Sequence, residues 1–198
     1  MNTLTPTPSN RWIPSISVSL GVIAVTVGVL AAMGRPFTCE NGTIKLWHGA
    51  VNSSENSQHI ADWYTFTHVT HGFLFYFLLW LLSRQVKFLQ PAGIRLLCAV
   101  ILEAGWEILE NTPFIINRYR EATIALGYTG DSILNSVSDI VFMSCGFLLA
   151  WRLPTWLSIL IVIVLETMLL LLIRDNLSLN ILMLLYPIDS VRDWQAGM

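Results

Sequence analysis

Five stretches of this chain are mostly apolar and about 20 residues long, the length an α-helix needs to cross the hydrocarbon layer of a bilayer. They run near 12–33, 64–83, 92–110, 131–151 and 155–173. Lipid offers no hydrogen-bond partner to backbone groups, so segments like these are expected as helices. The expected fold is therefore all-α, a polytopic helical membrane protein. A sixth apolar run, 179–187, has about half the spanning length and is expected as an interfacial or re-entrant segment. Composition agrees: 54% of residues are hydrophobic and only 12% charged, about half the charged share of soluble domains. No internal repeat or low-complexity linker divides the chain, so one domain is expected. A formal charge of −2 with no polybasic run disfavours nucleic-acid binding. Cys39, Cys98 and Cys145 lie far apart without CxxC spacing, which supports neither a disulfide framework nor a thiolate zinc site.

The first apolar stretch ends in small residues (Leu30, Ala31, Ala32, Met33, Gly34), a pattern shared with signal peptides. Its length, and Arg11 as the sole charge before it, favour a retained helix, and no lipobox precedes Cys39. With the N-terminus inside, Arg11, Arg84, Lys87, Arg95 and Arg152 lie inside, and Arg35, Lys45, Arg118, Arg120, Arg174 and Arg192 outside. The counts do not decide, but the short 84–95 hairpin is basic without an acid, and short loops carry the positive-inside signal. The expected orientation is N-terminus cytoplasmic.

Ionisable residues inside spans are costly unless paired or hydrated, so each is a candidate for function. Here they form stripes. Tyr64, His68 and His71 fall at i, i+4 and i+7, with Asp62 just before them; Glu103, Glu107 and Glu110 repeat that spacing, followed by Asn111. Asp131, Asn135 and Asp139 are spaced by four. Consecutive spans alternate in direction: the histidines begin the second span, the glutamates end the third and the aspartates begin the fourth. All three stripes therefore lie towards one bilayer face, from which the polar loops 34–63 and 112–130 emerge. In the expected orientation that face is periplasmic. Glu166, deeper in the fifth span, could extend the cluster or line its floor.

The candidate catalytic residues are accordingly His68, His71, Glu103, Glu107, Asp131, Asn135 and Asp139. A divalent metal is a candidate cofactor, with His71, Glu107, Asp131 and Asp139 as its ligands, because helical bundles build such sites from carboxylates and imidazoles at one-turn spacing. Without a cation, neighbouring carboxylates in low dielectric should not all ionise, so at least one raised, coupled pKa is expected. Arg118 and Arg120 are candidate headgroup binders, since guanidinium forks suit phosphate or carboxylate; they could equally neutralise Glu110, Glu121 or Asp131. Tyr119 and Tyr128 could donate protons at the mouth or anchor the interface. The alternative for the whole set is interhelical hydrogen bonding that holds the bundle together.

The strings at 45–49, 53–59, 68–73, 106–112, 117–120, 130–139 and 173–177 resemble the signatures of a proteobacterial inner-membrane family catalogued as a domain of unknown function (number 2585). That resemblance runs from about Gly34 to the C-terminus and implies no activity. A looser likeness, over the second to fourth spans, is to VanZ-like membrane proteins: a His in one span, a Glu-rich next span, a connecting Arg and an Asp/Asn-rich following span, matched here by His68, Glu103 with Glu107, Arg118, and Asp131 with Asn135 and Asp139. It implies an envelope role without specifying a reaction.

Three functions stay open at this stage. The leading one is binding, with hydrolysis or transfer, of an amphiphilic envelope lipid or isoprenoid headgroup at the polar face. The others are a noncatalytic assembly subunit whose partner covers 34–63, and a small transporter or proton pathway, which would need polar groups continuing to the opposite face.

Overall fold

A computed structural model describes residues 12–123 and 127–197; Arg11 and residues 124–126 of the 112–130 loop lie outside the described residues. The elements are α1 (Trp12–Ala32), α2 (Thr65–Leu82), α3 (Ala92–Glu110), α4 (Pro113–Ala122), α5 (Ile133–Arg152), α6 (Thr155–Ile173), α7 (Leu177–Leu185) and α8 (Asp189–Ala196), with one 3-10 turn at Lys87–Leu89. The five expected spans are α1, α2, α3, α5 and α6, each within two residues at either end. The 179–187 run is α7, whose 9 residues make a rod of about 14 Å, too short to cross.

By length and composition α1, α2, α5 and α6 can cross a membrane. α3 has the length but carries more charge than the other four, with Arg95, Glu103, Glu107 and Glu110. Arg95, Glu103 and Glu107 are buried, so these charges point into protein rather than lipid. Arg95 donates to the carbonyls of Leu89 and Gln90, closing the turn before α3.

α2 and α5 run side by side in the same direction, and two glycines let their backbones touch. A Cβ on Gly72 would meet Met143 O, Phe147 N and Gly146 C; one on Gly146 would meet Val69 O. Just beyond this crossing lies the apolar core, with Leu79 of α2, Leu96, Ala99 and Val100 of α3, and Ile140, Met143 and Phe147 of α5. α1 packs along α3. Trp12 and Trp151 meet edge to face with ring centroids 4.9 Å apart, which puts the start of α1 beside the end of α5, as alternating spans require. α6 buries only Leu169 and Ile173 and otherwise presents an apolar surface, as a lipid-facing helix should.

Residues 34–63 fold back over the start of α5. Helix N-termini leave amide groups without intrahelical partners, and this segment supplies them: Ser132, Ile133 and Leu134 N–H donate to the carbonyls of Ser57, Pro36 and Phe37. Asn135 Nδ2 and Ser132 Oγ donate to the carbonyls of His59 and Gln58. Just before α5, Gly130 has φ of 95°, a conformation that suits glycine, and a Cβ there would come within 2.9 Å of Asn111 Oδ1. α4 and α8, not expected from hydropathy, are short and polar. Thr112 and Pro113 nevertheless mark the start of α4, through the Thr112 side-chain cap and proline in the first turn.

Candidate active site

The two helical stripes from α2 and α3 meet at His68. Its Nδ1 lies 2.6 Å from Glu103 Oε1 and 3.6 Å from Glu107 Oε1, and its Nε2 lies 3.7 Å from Asp139 Oδ2 on α5. His71, one turn on, places Nδ1 3.1 Å from Glu103 Oε2, with its ring stacked on Phe75. Glu103 thus serves both histidines and fixes which ring nitrogen faces it, leaving the opposite nitrogens turned elsewhere. Glu107 is fully buried, yet neither of its oxygens receives a hydrogen bond, and Asp139 Oδ1 is likewise without one.

Nearer the mouth the groups are satisfied. Asp131 accepts from Tyr128 Oη at 2.8 Å and from Asn111 Nδ2 at 3.0 Å, while its own amide donates to Asn111 Oδ1 at 2.8 Å. Burial pushes the Asp131 carboxyl up to about 6 and outweighs the Tyr128 hydrogen bond that lowers it. Burial likewise takes the phenols of Tyr119 and Tyr128 well above their usual range, helped by Glu110 at Tyr119 and by Asp131 at Tyr128. Both therefore stand as neutral hydrogen-bond donors. Asp62 caps the start of α2 by accepting from Ser57 N and Tyr64 N, and its burial raises its carboxyl. Tyr64 Oη donates to Asp175 Oδ2 at 3.0 Å, and burial lifts Asp175 to about 6.

His68, His71, Asp131, Asp139, Asp175 and the tyrosines line a cavity of about 470 Å³ with two kinds of wall, and Glu103 and Glu107 lie behind the histidines. One is polar: His68, His71, Asp131, Asn135, Asp139, Glu110 and the tyrosines. The other is apolar: Leu74, Phe75 and Leu78 of α2, Leu102, Trp106 and Leu109 of α3, and Leu177, Ile181 and Leu184 of α7. Leu74, Leu78, Leu102 and Leu109 are also exposed on the outer surface of the bundle, so the cavity is flanked by residues that face lipid. Among the described residues, no lysine or arginine lines it.

Sequence spacing and structure differ at four places. His71 joins His68 and Glu103 rather than the aspartates. Among the described residues, the compact groups able to hold a cation in or beside this cavity are His68 with His71 and Glu103, His68 with Glu107 and Asp139, and Glu107 with Glu110 and Asp131; none of these unites His71 with Glu107, Asp131 and Asp139. Arg118 is taken up by the Leu184 carbonyl and Arg120 by the Tyr128 carbonyl, so neither lines the cavity or pairs with the neighbouring acids. Glu166 does not reach the cluster either. It caps α7, accepting from Leu177 N, Ser178 N and Ser178 Oγ.

Residues 30–197 match the model of a family described as "Protein of unknown function (DUF2585)". The chain belongs to that family. It is similar to UPF0314 proteins of Sinorhizobium fredii (54% identical over 189 residues, 96% of this chain and 93% of the relative) and Agrobacterium fabrum (52% over 190 residues, 96% and 92%). A UPF0314 protein of Rhizobium meliloti is 56% identical over 179 residues, 90% of this chain and 89% of the relative. No solved structure matches the chain. The matched region of this DUF2585 protein includes every residue of the cavity.

Several participants lay outside the expected site. Asp175 and Asn180 line the cavity from the α6–α7 region, and Asn111 ties the end of α3 to the start of α5. The signal for Asn111 was its place one turn after Glu107; Asp175 follows the last span and carried no periodicity. A second cluster, Cys39, Glu55 and His59, lies in the 34–63 segment. There Lys45 pairs with Glu55, which holds the Glu55 carboxyl down to about 2, with His59 assisting.

Proposed function

We propose that this protein binds an amphiphilic envelope molecule, a lipid or isoprenoid, with its headgroup among the histidines and carboxylates and its chain along the leucines of α2, α3 and α7, and that it hydrolyses or transfers that headgroup. The observation that carries the reading is the two-sided cavity: its polar wall lies within hydrogen-bonding reach of a headgroup, while its apolar wall continues onto the lipid-facing surface. In this reading His71 is the general acid or base. Glu103 holds its Nδ1, and a carboxylate so placed fixes the tautomer and stabilises the imidazolium. Asp131, Asn135 and Asp139 contact the headgroup, and the neutral phenols of Tyr119 and Tyr128, whose protons now go to Asn180 and Asp131, turn to donate to it when it binds. The protein sits in the inner membrane with its N-terminus cytoplasmic and the cavity on the periplasmic side, an envelope role in line with the VanZ-like pattern.

A proton or ion pathway is less well supported. Beyond Asp139 the space between α2, α3 and α5 is filled by Leu79, Val100, Ile140, Met143 and Phe147, all buried, which leaves the apolar packing between the acids and the opposite face.

The test is photo-crosslinking in native membranes from benzoylphenylalanine at Leu78 or Leu102, with Leu160 on α6 as the lipid-facing control. A single lipid species enriched at both cavity positions and absent from the control is expected. Bulk phospholipid captured equally at all three positions would sink the proposal.

A further inference from the structure

We propose that His68, Glu107 and Asp139 hold a divalent cation at the floor of the cavity, with Glu103 as the residue that positions His68. The ligand atoms of the three lie within 4.8 Å of one another, and all three side chains are more than nine-tenths buried. Metal–ligand bonds of about 2.1 Å place the donors of one tetrahedral ion about 3.4 Å apart, so the 3.7 Å between His68 Nε2 and Asp139 Oδ2 is a few tenths of an ångström from coordination.

Three features single out this group. First, both oxygens of Glu107 and Oδ1 of Asp139 lack hydrogen-bond partners in a buried site, where an unpaired carboxylate costs several kcal/mol. Asp131, by contrast, is satisfied by Tyr128 and Asn111, so the group of Glu107, Glu110 and Asp131 shares only the Glu107 vacancy, whereas the group with His68 and Asp139 has open oxygens on both of its carboxylates. Second, Glu103 bonds His68 Nδ1 at 2.6 Å. Metal-ligating histidines commonly donate their second nitrogen to a carboxylate, which fixes the tautomer and frees the other nitrogen for the ion. Third, the cavity has acids on its wall and, among the described residues, no arginine or lysine. One imidazole with two carboxylates suits Mn²⁺, Fe²⁺ or Zn²⁺.

The ion gives the proposed function its substrate class. An anionic headgroup such as a phosphate ester would be repelled by this acidic wall, and the cation, reached past His68 and Asp139, would take its oxygens in the remaining coordination positions. The inference rests on that reading for its purpose, but its test needs no lipid.

The full chain, purified in detergent and stripped with chelator, is titrated with Mn²⁺ by electron paramagnetic resonance and with Zn²⁺ by calorimetry. About one ion per chain is expected, with nitrogen hyperfine coupling from one imidazole on the bound Mn²⁺. Glu107→Gln and Asp139→Asn should weaken binding ten-fold or more. Glu103→Gln should weaken it roughly 10- to 100-fold, the range for residues that orient a ligand, and Glu166→Gln should leave it unchanged. Circular dichroism identifies variants that fail to fold, and the wild-type hyperfine signal stands without them. Failure of folded wild type to bind either ion, bound Mn²⁺ without nitrogen coupling, or a folded Glu107→Gln protein with parental affinity would each overturn the ion. Metal binding without lipid capture at Leu78 and Leu102 would overturn the amphiphile reading alone; lipid capture without metal binding would overturn the ion alone.

Discussion

Gly72→Ala is the substitution whose effect follows most directly from the structure. The added methyl would lie 2.5 Å from Phe147 N and 2.8 Å from Gly146 C on α5, and closer still to Met143 O. All three are backbone atoms and cannot rotate away. Ordinary contact needs about 3.4 Å or more between such atoms, so α2 and α5 must part by about 1 Å. Overpacking of this kind costs about 1–3 kcal/mol, and each kcal/mol lowers the melting temperature of a chain this size by about 2–4 °C.

His68 lies one turn before Gly72 and reaches Asp139 across the same interface at 3.7 Å. The parting should therefore open the histidine–aspartate contact as well as destabilise the fold. Melting of the detergent-solubilised protein, followed by circular dichroism, measures the first effect; the chemical shift of the His68 ring, labelled with ¹⁵N, measures the second. Gly21→Ala is the control, because nothing lies within 4 Å of its added methyl and alanine is the better helix former by up to about 1 kcal/mol. A Gly72→Ala protein that melts with the parent and keeps the parental His68 resonance would refute the close crossing and the site geometry built upon it.

Two further predictions concern charge and topology. Burial raises Asp175 from an ordinary 3.8 to about 6, so folding favours its protonated form: its stabilising effect is present in full below about pH 4 and is lost as pH rises to about 6, a decline of up to about 3 kcal/mol. Asp175→Asn should remove that part of the pH slope in denaturant titrations, and an unchanged slope would count against the burial. Single cysteines at Ser54 and Glu121, both exposed, in a background without the three native cysteines, should label with an impermeant thiol reagent from the same side, and one at Gln85 from the other. Equal labelling of positions 54 and 85 would break the topology and with it the meeting of the stripes.

The five long helices were legible because a segment that can cross a membrane combines length and apolarity, and both are written in consecutive residues. α3 shows the limit of that signal: its 19 residues span by length, but its charges face other helices, and hydropathy cannot distinguish a charge pointing inward from a break in a span. The level of the polar groups was also legible, since antiparallel succession alone puts His68, Glu107 and Asp139 at one height. Which histidine meets Asp139 was not, because His68 and His71 share a helical face and the choice depends on how α2 is rotated against α5, set here by Gly72 and Gly146. Glu166 misled for a related reason. Depth along α6 placed it near the cluster, but α7 folds back beside α6 and takes the carboxylate for its own amide groups. The Leu184 carbonyl that takes up Arg118 was not legible beside a headgroup or the nearby acids, because α7 follows only after two further long helices, α5 and α6.

The strongest alternative to a functional site is that the buried acids hold the helices together, and the hydrogen bonds divide on this point. Adhesion requires each costly group to find a partner, and Glu103 and Asp131 do, through His68 and His71 and through Tyr128 and Asn111. Glu107 and Asp139 do not: three of their four oxygens are buried without a hydrogen bond. Nor is their adhesion needed between α2 and α5, which already meet through Gly72 and Gly146, since small residues let spans approach and pack without polar glue. With His68 no nearer than 3.6 Å to either and three oxygens without a hydrogen bond, these two carboxylates recover little of the cost of their burial. A cation or a headgroup bound beside His68 would offset that cost, whereas further packing of apolar helices would not.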